Sequence, residues 1–203
     1  MLENYYIDEY GILHQKEVLP FDKDYGAERN GYGEKSNYLS YLRLGFIMAV
    51  IRSDSVDSLL DIGFGNGDFL NASLNFAKNT YGFDLNYKYL PYTAKRGRLD
   101  CFYDVITMFD SLEHFNDLNI IFDLKCNYLI LSVPNCKRPW DDEWLLDWKH
   151  LRPNEHLHHM NFISLMSFAS KGYTYIAHSY FEDIIRVGEE KENILTVCLR
   201  KIM

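Results

Sequence analysis

The sequence predicts an α/β protein with a mostly parallel sheet covered by helices on both faces. From residue 56 onward, short apolar runs alternate with segments of helical period. Asp61, Asp84, Asp110 and Asn135 fall at or near the ends of these runs, where sheets of this kind bind ligands. Gly also occupies every second position from 63 to 67, just past the first run. At 203 residues the chain fits one domain with a sizeable core. Within it, 1–52 reads as an N-terminal cap and helix region, and 53–203 as an α/β core with an insertion at 137–154.

Residues 1–36 show no sustained period, and Tyr25–Gly33 is loop-like, with Gly spacing suited to turns. Residues 36–51 read as a helix capped by Ser36, with Leu39, Leu42, Phe46, Ile47 and Val50 on one face. Val56–Ile62 reads as a strand, Asp68–Lys78 as a helix and Tyr81–Leu85 as a second strand. Between Asp84 and Tyr103 there is too little chain for a full helix plus another strand, and Pro91 and Gly97 break the segment. Tyr103–Phe109 reads as a third strand, 116–125 as a short helix, Tyr128–Val133 as a strand and 162–171 as a helix. Residues 173–180 and 193–200 read as a final pair of strands. In the insertion, Trp140, Trp144 and Trp148 recur every four residues, which places them on one helical stripe. That stripe is a lid over a substrate, a homodimer contact or a small satellite core.

Composition narrows the function. The formal net charge of −8 argues against general affinity for nucleic acid, which needs cations to displace counterions. Lys95-Arg96-Gly97-Arg98 is the one basic cluster that argues the other way. The four Cys show no C-x-x-C pairing and read as reduced thiols of a cytoplasmic protein. No apolar run reaches the roughly 18 residues of a membrane span, and the first residues lack the pattern of a secretory signal.

Leu59-Leu60-Asp61-Ile62-Gly63-Phe64-Gly65-Asn66-Gly67 reads as a buried strand that ends in an acidic residue and enters a Gly-rich turn. Such a turn lets backbone approach a ligand where a Cβ would clash. A dinucleotide fingerprint needs a Gly at position 68, which here is Asp. Asp61 would repel a pyrophosphate and attract the ammonium group of an amino-acid-like ligand. The D-x-G-x-G-x-G pattern resembles the first motif of the class I S-adenosylmethionine methyltransferases. The resemblance continues, in order, over residues 56–200. Tyr81-Gly82-Phe83-Asp84-Leu85-Asn86 resembles their second motif, whose carboxylate accepts from both ribose hydroxyls. Asp104-Val105, Leu112-Glu113-His114, Val133-Pro134-Asn135 and Glu155-His156-Leu157-His158 are similar to later segments of the methyltransferase 11/23-type families.

The resemblance implies a Rossmann-like fold with a seven-stranded-type sheet, shortened between its second and fourth strands. It implies S-adenosylmethionine as cofactor, S-adenosylhomocysteine as product, and a cofactor site of Asp61, Gly63, Phe64, Gly65, Asn66, Gly67, Asp84, Leu85, Phe109 and Asp110. Tyr25, Tyr32, Tyr38 and Arg43 are candidates to cover it. Glu113, His114, His156 and His158 are the candidate catalytic residues. A His near the methyl group suits proton removal, since its ordinary pKa lies near neutrality; packing of the loop is the alternative. Glu155 with His156, His158 and His159 raises a metal reading, but adjacent His158 and His159 point apart on a strand, and no metal is expected. Asp110-Ser111-Leu112 lacks the Asn/Asp-Pro-Pro-aromatic motif of DNA amino-methyltransferases. The expected reaction is metal-free O- or N-methylation of a small-molecule acceptor. A non-catalytic cofactor-binding protein and a macromolecule methyltransferase are the alternatives; an NAD-dependent oxidoreductase ranks below them.

Overall fold

The computed structural model describes residues 2–19 and 33–202. Tyr25 and Tyr32 lie outside these residues. The named elements are β1 (Tyr5–Ile7), β2 (Leu13–Gln15), α1 (Gly33–Ile51), β3 (Val56–Ile62), α2 (Asp68–Ser73), β4 (Ala77–Phe83), β5 (Lys95–Arg96) and β6 (Phe102–Phe109). They continue as α3 (Ile120–Asp123), β7 (Lys125–Pro134), α4 (Asp142–Asp147), β8 (His158–His159), α5 (Phe162–Ala169), β9 (Tyr173–Ser179), α6 (Glu182–Val187) and β10 (Ile194–Lys201). Seven strands form the main sheet in the order β5-β4-β3-β6-β7-β10-β9. The first five run parallel, and β10 runs antiparallel to both neighbours. A smaller antiparallel sheet joins β1, β2 and β8.

The strands are apolar on both faces because both faces are covered. Leu60, Ile106, Leu129 and Leu131 pack on one side with Leu165 and Phe168 of α5. Leu59, Val105 and Ile130 pack on the other with Ile47 of α1 and Phe69 and Leu70 of α2. The one-residue offset between these sets is the period of two that a strand imposes. A third cluster unites Tyr5, Leu13, Cys136 and Leu145 with Trp144, Trp148 and Leu151. Of the three readings of the Trp stripe, the satellite core describes Trp144 and Trp148. Their rings stack at 5.3 Å, whereas Trp140 precedes α4 and is exposed. The helix is only six residues long, so the stripe does not extend through it.

Several boundaries differ from the sequence expectation. α2 stops at Ser73 and β4 already begins at Ala77. Lys78, read as the end of the helix, and Asn79 are the polar residues of a strand whose buried positions are Ala77, Thr80 and Gly82. Ser36 does not cap α1, which starts earlier; its hydroxyl instead accepts from Asn66 Nδ2. The 116–125 helix is reduced to α3 because β7 begins at Lys125, with its pairing to β6 starting at Phe102↔Lys125. Strands β1, β2 and β8 and helix α6 carry too short a pattern to stand out in sequence. The shortened segment after Asp84 contains a 3-10 turn at Tyr87–Tyr89 and the two-residue β5 on the sheet edge. Among the described residues no helix is long and apolar enough to cross a membrane, and the four cysteines are free.

Glu182 of α6 is fully buried and receives Arg43 Nε of α1 at 2.8 Å, Arg186 Nη2 at 2.7 Å and the Ser132 hydroxyl of β7 at 2.5 Å. Removing charge from one member of a buried group strands the others without compensation. Glu182→Gln is therefore expected to lose about 3 kcal/mol of stability in urea unfolding. An unchanged midpoint would show that the network is not structural.

Candidate functional site

The carboxyl ends of the parallel strands gather the residues that sequence singled out. Asp61 is the residue before the last of β3 and is 3% exposed. It stands opposite Thr107 in the β3–β6 register, and the Thr107 hydroxyl donates to Asp61 Oδ1 at 2.7 Å. The loop Gly63–Gly67 turns sharply beyond it, with φ of 77°, 56° and 80° at its three Gly. At Gly63 a Cβ would lie 2.4 Å from Ser111 Oγ, and at Gly67 it would lie 2.7 Å from the Tyr89 carbonyl oxygen. Gly is needed at both positions for its backbone angles as well as for space.

Asp84 follows the last residue of β4. Its Oδ2 accepts from Gly65 N–H and its Oδ1 from Asn86 N–H, each at 3.0 Å. Each carboxylate oxygen keeps a further lone pair for a ligand hydroxyl. Phe64 is buried beside Tyr87, while Asn66 donates to the Asp68 carboxylate at 2.7 Å and so shapes the loop from inside. Leu85 is fully exposed and faces solvent.

Phe109 ends β6 with Arg43 stacked over its ring at 4.2 Å. Asp110 follows with φ of 49°, and its Oδ2 accepts from Arg43 at 3.1 Å and from Arg186. Arg43 thus ties α1 to the sheet edge through Asp110 and Glu182, while Tyr38 is exposed on α1. Glu182 and Arg186 were not singled out in sequence. They lie between the segments 173–180 and 193–200 that read as strands, and the i,i+4 spacing of the pair is the available signal.

After Asp110 the chain makes a 3-10 turn at Leu112–His114. Three hydrogen bonds lace this turn to the 155–159 segment. Leu157 N–H donates to the Glu113 carbonyl at 2.8 Å, His114 Nδ1 bonds the Glu155 carbonyl at 2.6 Å, and His158 Nε2 bonds the Phe115 carbonyl at 2.7 Å. The lacing brings Glu113, His114 and His156 together; the His114 and His156 rings meet edge to face at 4.8 Å.

His158 does not join them. A carbonyl only accepts, so His158 Nε2 carries its proton. Its Nδ1 therefore accepts from His14 Nδ1 at 2.7 Å, and His14 Nε2 bonds Asp8 at 3.0 Å. Both ring nitrogens of His158 are engaged, so its assignment as a base is corrected to a structural link between β2 and β8. His159 points the other way, toward Trp148 and Tyr5, as alternation along a strand requires.

The basic cluster is also engaged locally. Lys95 donates to Asn79, Arg96 lies over the Tyr87 ring, and Arg98 pairs with Asp100. A cavity of about 280 Å³ opens at the opposite, amino edge of the sheet among Val56, Asp57, Lys78 and Asp104, away from the Gly loop.

A family model described as a methyltransferase domain matches residues 37–170. The chain belongs to the methyltransferase family. Its cofactor is S-adenosylmethionine, and the parallel sheet with a terminal antiparallel strand is the family's Rossmann-like fold. Solved structures share this fold. A SAM-dependent methyltransferase from Archaeoglobus fulgidus matches at 16% identity, covering 89% of this chain and 100% of the other, with a TM-score of 0.59. The N-methyltransferase NodS from Bradyrhizobium japonicum, in complex with S-adenosylhomocysteine, matches at 12% identity, 90% coverage of each chain and a TM-score of 0.54. A chain of the Haloferax volcanii complex between the Trm112 methyltransferase activator and a methyltransferase matches at 11% identity, covering 91% and 100%, with a TM-score of 0.59. No curated protein matches the chain.

The buried imidazoles make the fold acid-sensitive. Burial pushes His150, His156, His158 and His159 down from an ordinary 6.5 to about 3, 4, 4 and 3, and neighbouring charges add to the effect. All are neutral in the folded protein near pH 7 and bind protons on unfolding once the pH falls below 6.5. Their contribution is complete above that value and is lost as the pH falls toward about 4. At pH 5 each costs about 2 kcal/mol relative to neutral pH. Urea midpoints are expected to drop steeply between pH 7.5 and pH 5; a flat profile would contradict the burial of these rings.

Proposed function

We propose that this methyltransferase transfers the methyl group of S-adenosylmethionine to an oxygen or nitrogen of a small-molecule acceptor. Asp61, the Gly63–Gly67 loop and Asp84 hold the cofactor in this reading. Asp84 takes the ribose hydroxyls on the free lone pairs of its carboxylate. Asp61, fixed by Thr107, faces the amino-acid end. Phe109 and the Gly loop flank the methionine part, and Asp110 acts behind them by anchoring Arg43 and Arg186. The cofactor supplies an electrophilic methyl carried on a sulfonium. The chain's own task is to align the acceptor and exclude water.

The observation that carries the reading is the contact between Ser111 and Gly63. A Cβ on Gly63 would collide with the Ser111 hydroxyl, so the turn bearing Glu113 and His114 lies against the cofactor loop. Glu113, His114 and His156 are then the polar groups that meet an acceptor beside the methyl group. His156, kept neutral by burial, accepts a hydrogen bond from an acceptor hydroxyl or amine. The formal charge of −8 and the local pairing of Lys95, Arg96 and Arg98 favour a small acceptor over nucleic acid.

Calorimetric titration with S-adenosylmethionine, S-adenosylhomocysteine and NAD tests the cofactor site. Both adenosyl ligands are expected to bind with Kd on the order of micromolar, and NAD not at all. Asp84→Ala should weaken them at least tenfold, about 1.4 kcal/mol, in a protein that remains folded. Binding of NAD alone, or undiminished binding by the variant, would overturn this assignment.

A further inference from the structure

Glu113, His114 and His156 each offer a ligand atom, and these atoms lie within 4.8 Å of one another. Glu113 and His156 are buried and His114 is half-buried. The second nitrogen of each ring fixes the first. His114 Nδ1 bonds the Glu155 carbonyl at 2.6 Å, and His156 Nδ1 bonds the His150 carbonyl at 2.9 Å. Carbonyls only accept, so both rings carry their proton on Nδ1, and a neutral ring then has its lone pair on Nε2. His114 Nε2 lies 4.0 Å from Glu113 Oε1. Ring N–H bonds to backbone carbonyls are the arrangement that orients imidazoles for coordination. Donors around one ion, each bound at about 2.0–2.2 Å, are about 3–4 Å apart. The observed spacing needs only small side-chain rotations to reach that.

We propose that Glu113, His114 and His156 form a binding site for a divalent metal ion of borderline softness, such as Zn²⁺ or Co²⁺. Two imidazoles and one carboxylate suit these ions better than Mg²⁺ or Ca²⁺, which take oxygen donors. Three protein ligands leave coordination positions open. The site departs from the metal-free expectation because the structure changes the donor set. His158 and His159 turn away, and Glu113 and His114 arrive from the turn after β6. The open positions would take an acceptor oxygen beside the cofactor loop; that role rests on the methyl-transfer reading, whereas metal binding itself does not.

Chelator-treated protein titrated with ZnCl₂ by calorimetry, and with Co²⁺ by visible absorption, tests the proposal. One equivalent of Zn²⁺ is expected to bind saturably, and Co²⁺ to give d–d bands that Zn²⁺ displaces. His156→Ala and Glu113→Gln should each weaken binding at least tenfold, and so should His114→Ala, which removes the half-buried ligand and carries the test if either buried variant fails to fold. His178→Ala, an exposed ring on β9, should not change it. Absence of saturable binding in the wild type, or binding unchanged in folded ligand variants, would overturn the site. Metal binding without any adenosyl-ligand binding would instead leave the site standing and overturn the methyl-transfer reading.

Discussion

Glu182 is a carboxylate with no exposure to solvent, and the carboxyl edge of the sheet is organised around compensating it. Burial alone would push its pKa up. Arg43 and Arg186 outweigh that and hold the group ionised, below its ordinary value. Meeting this requirement recruits α1, α6 and the ends of β6, β7 and β10 through Arg43, Arg186, Asp110, Ser132 and Thr196. The neighbouring Asp183 does similar work on the backbone. Its carboxylate accepts from the N–H groups of Lys191, Asn193 and Ile194 and so feeds the chain into β10.

The network also sets the direction of the chain beyond β6. Asp110 has a left-handed backbone, uncommon for a residue other than Gly, and two Arg hold it there. That turn delivers Ser111 to Gly63 and Glu113 to the 155–159 segment. The Gly63–Gly67 loop, the Leu112–His114 turn and helix α1 are therefore tied into one arrangement through Asp110 and Ser111. Asp61 is fixed independently, by register, because parallel pairing places Thr107 beside it.

The fold was legible where the sheet is buried on both faces. Leu59, Leu60, Val105, Ile106, Leu129 and Ile130 mark their strands without ambiguity, and the Gly spacing marked the loop. β4 was misjudged at its start because Lys78 and Asn79 follow a helical run with no break. The candidate cofactor residues were legible because strand-end carboxylates and a Gly turn are close in sequence. The meeting of Glu113 and His114 with His156 was legible only as two separate segments, since hydrogen bonds between distant loops leave no local pattern. His158 shows the converse: its type suggested chemistry, but its partners, His14 and the Phe115 carbonyl, decide its role. The ion-pair network was the least legible: Arg43 and Asp110 stood out for other reasons, while Glu182 and Arg186 look like ordinary surface charges.

In the proposed reading, one constellation at the carboxyl edge of the sheet holds the cofactor and presents its reacting end to Glu113, His114 and His156. A crystal structure of the S-adenosylhomocysteine complex tests this most directly. Ribose hydroxyls are expected on Asp84, the amino-acid end between Asp61 and Gly63, and the sulfur directed at the Glu113–His114–His156 group. A ligand seated elsewhere, such as the cavity lined by Asp57, Lys78 and Asp104 at the amino edge, would contradict it.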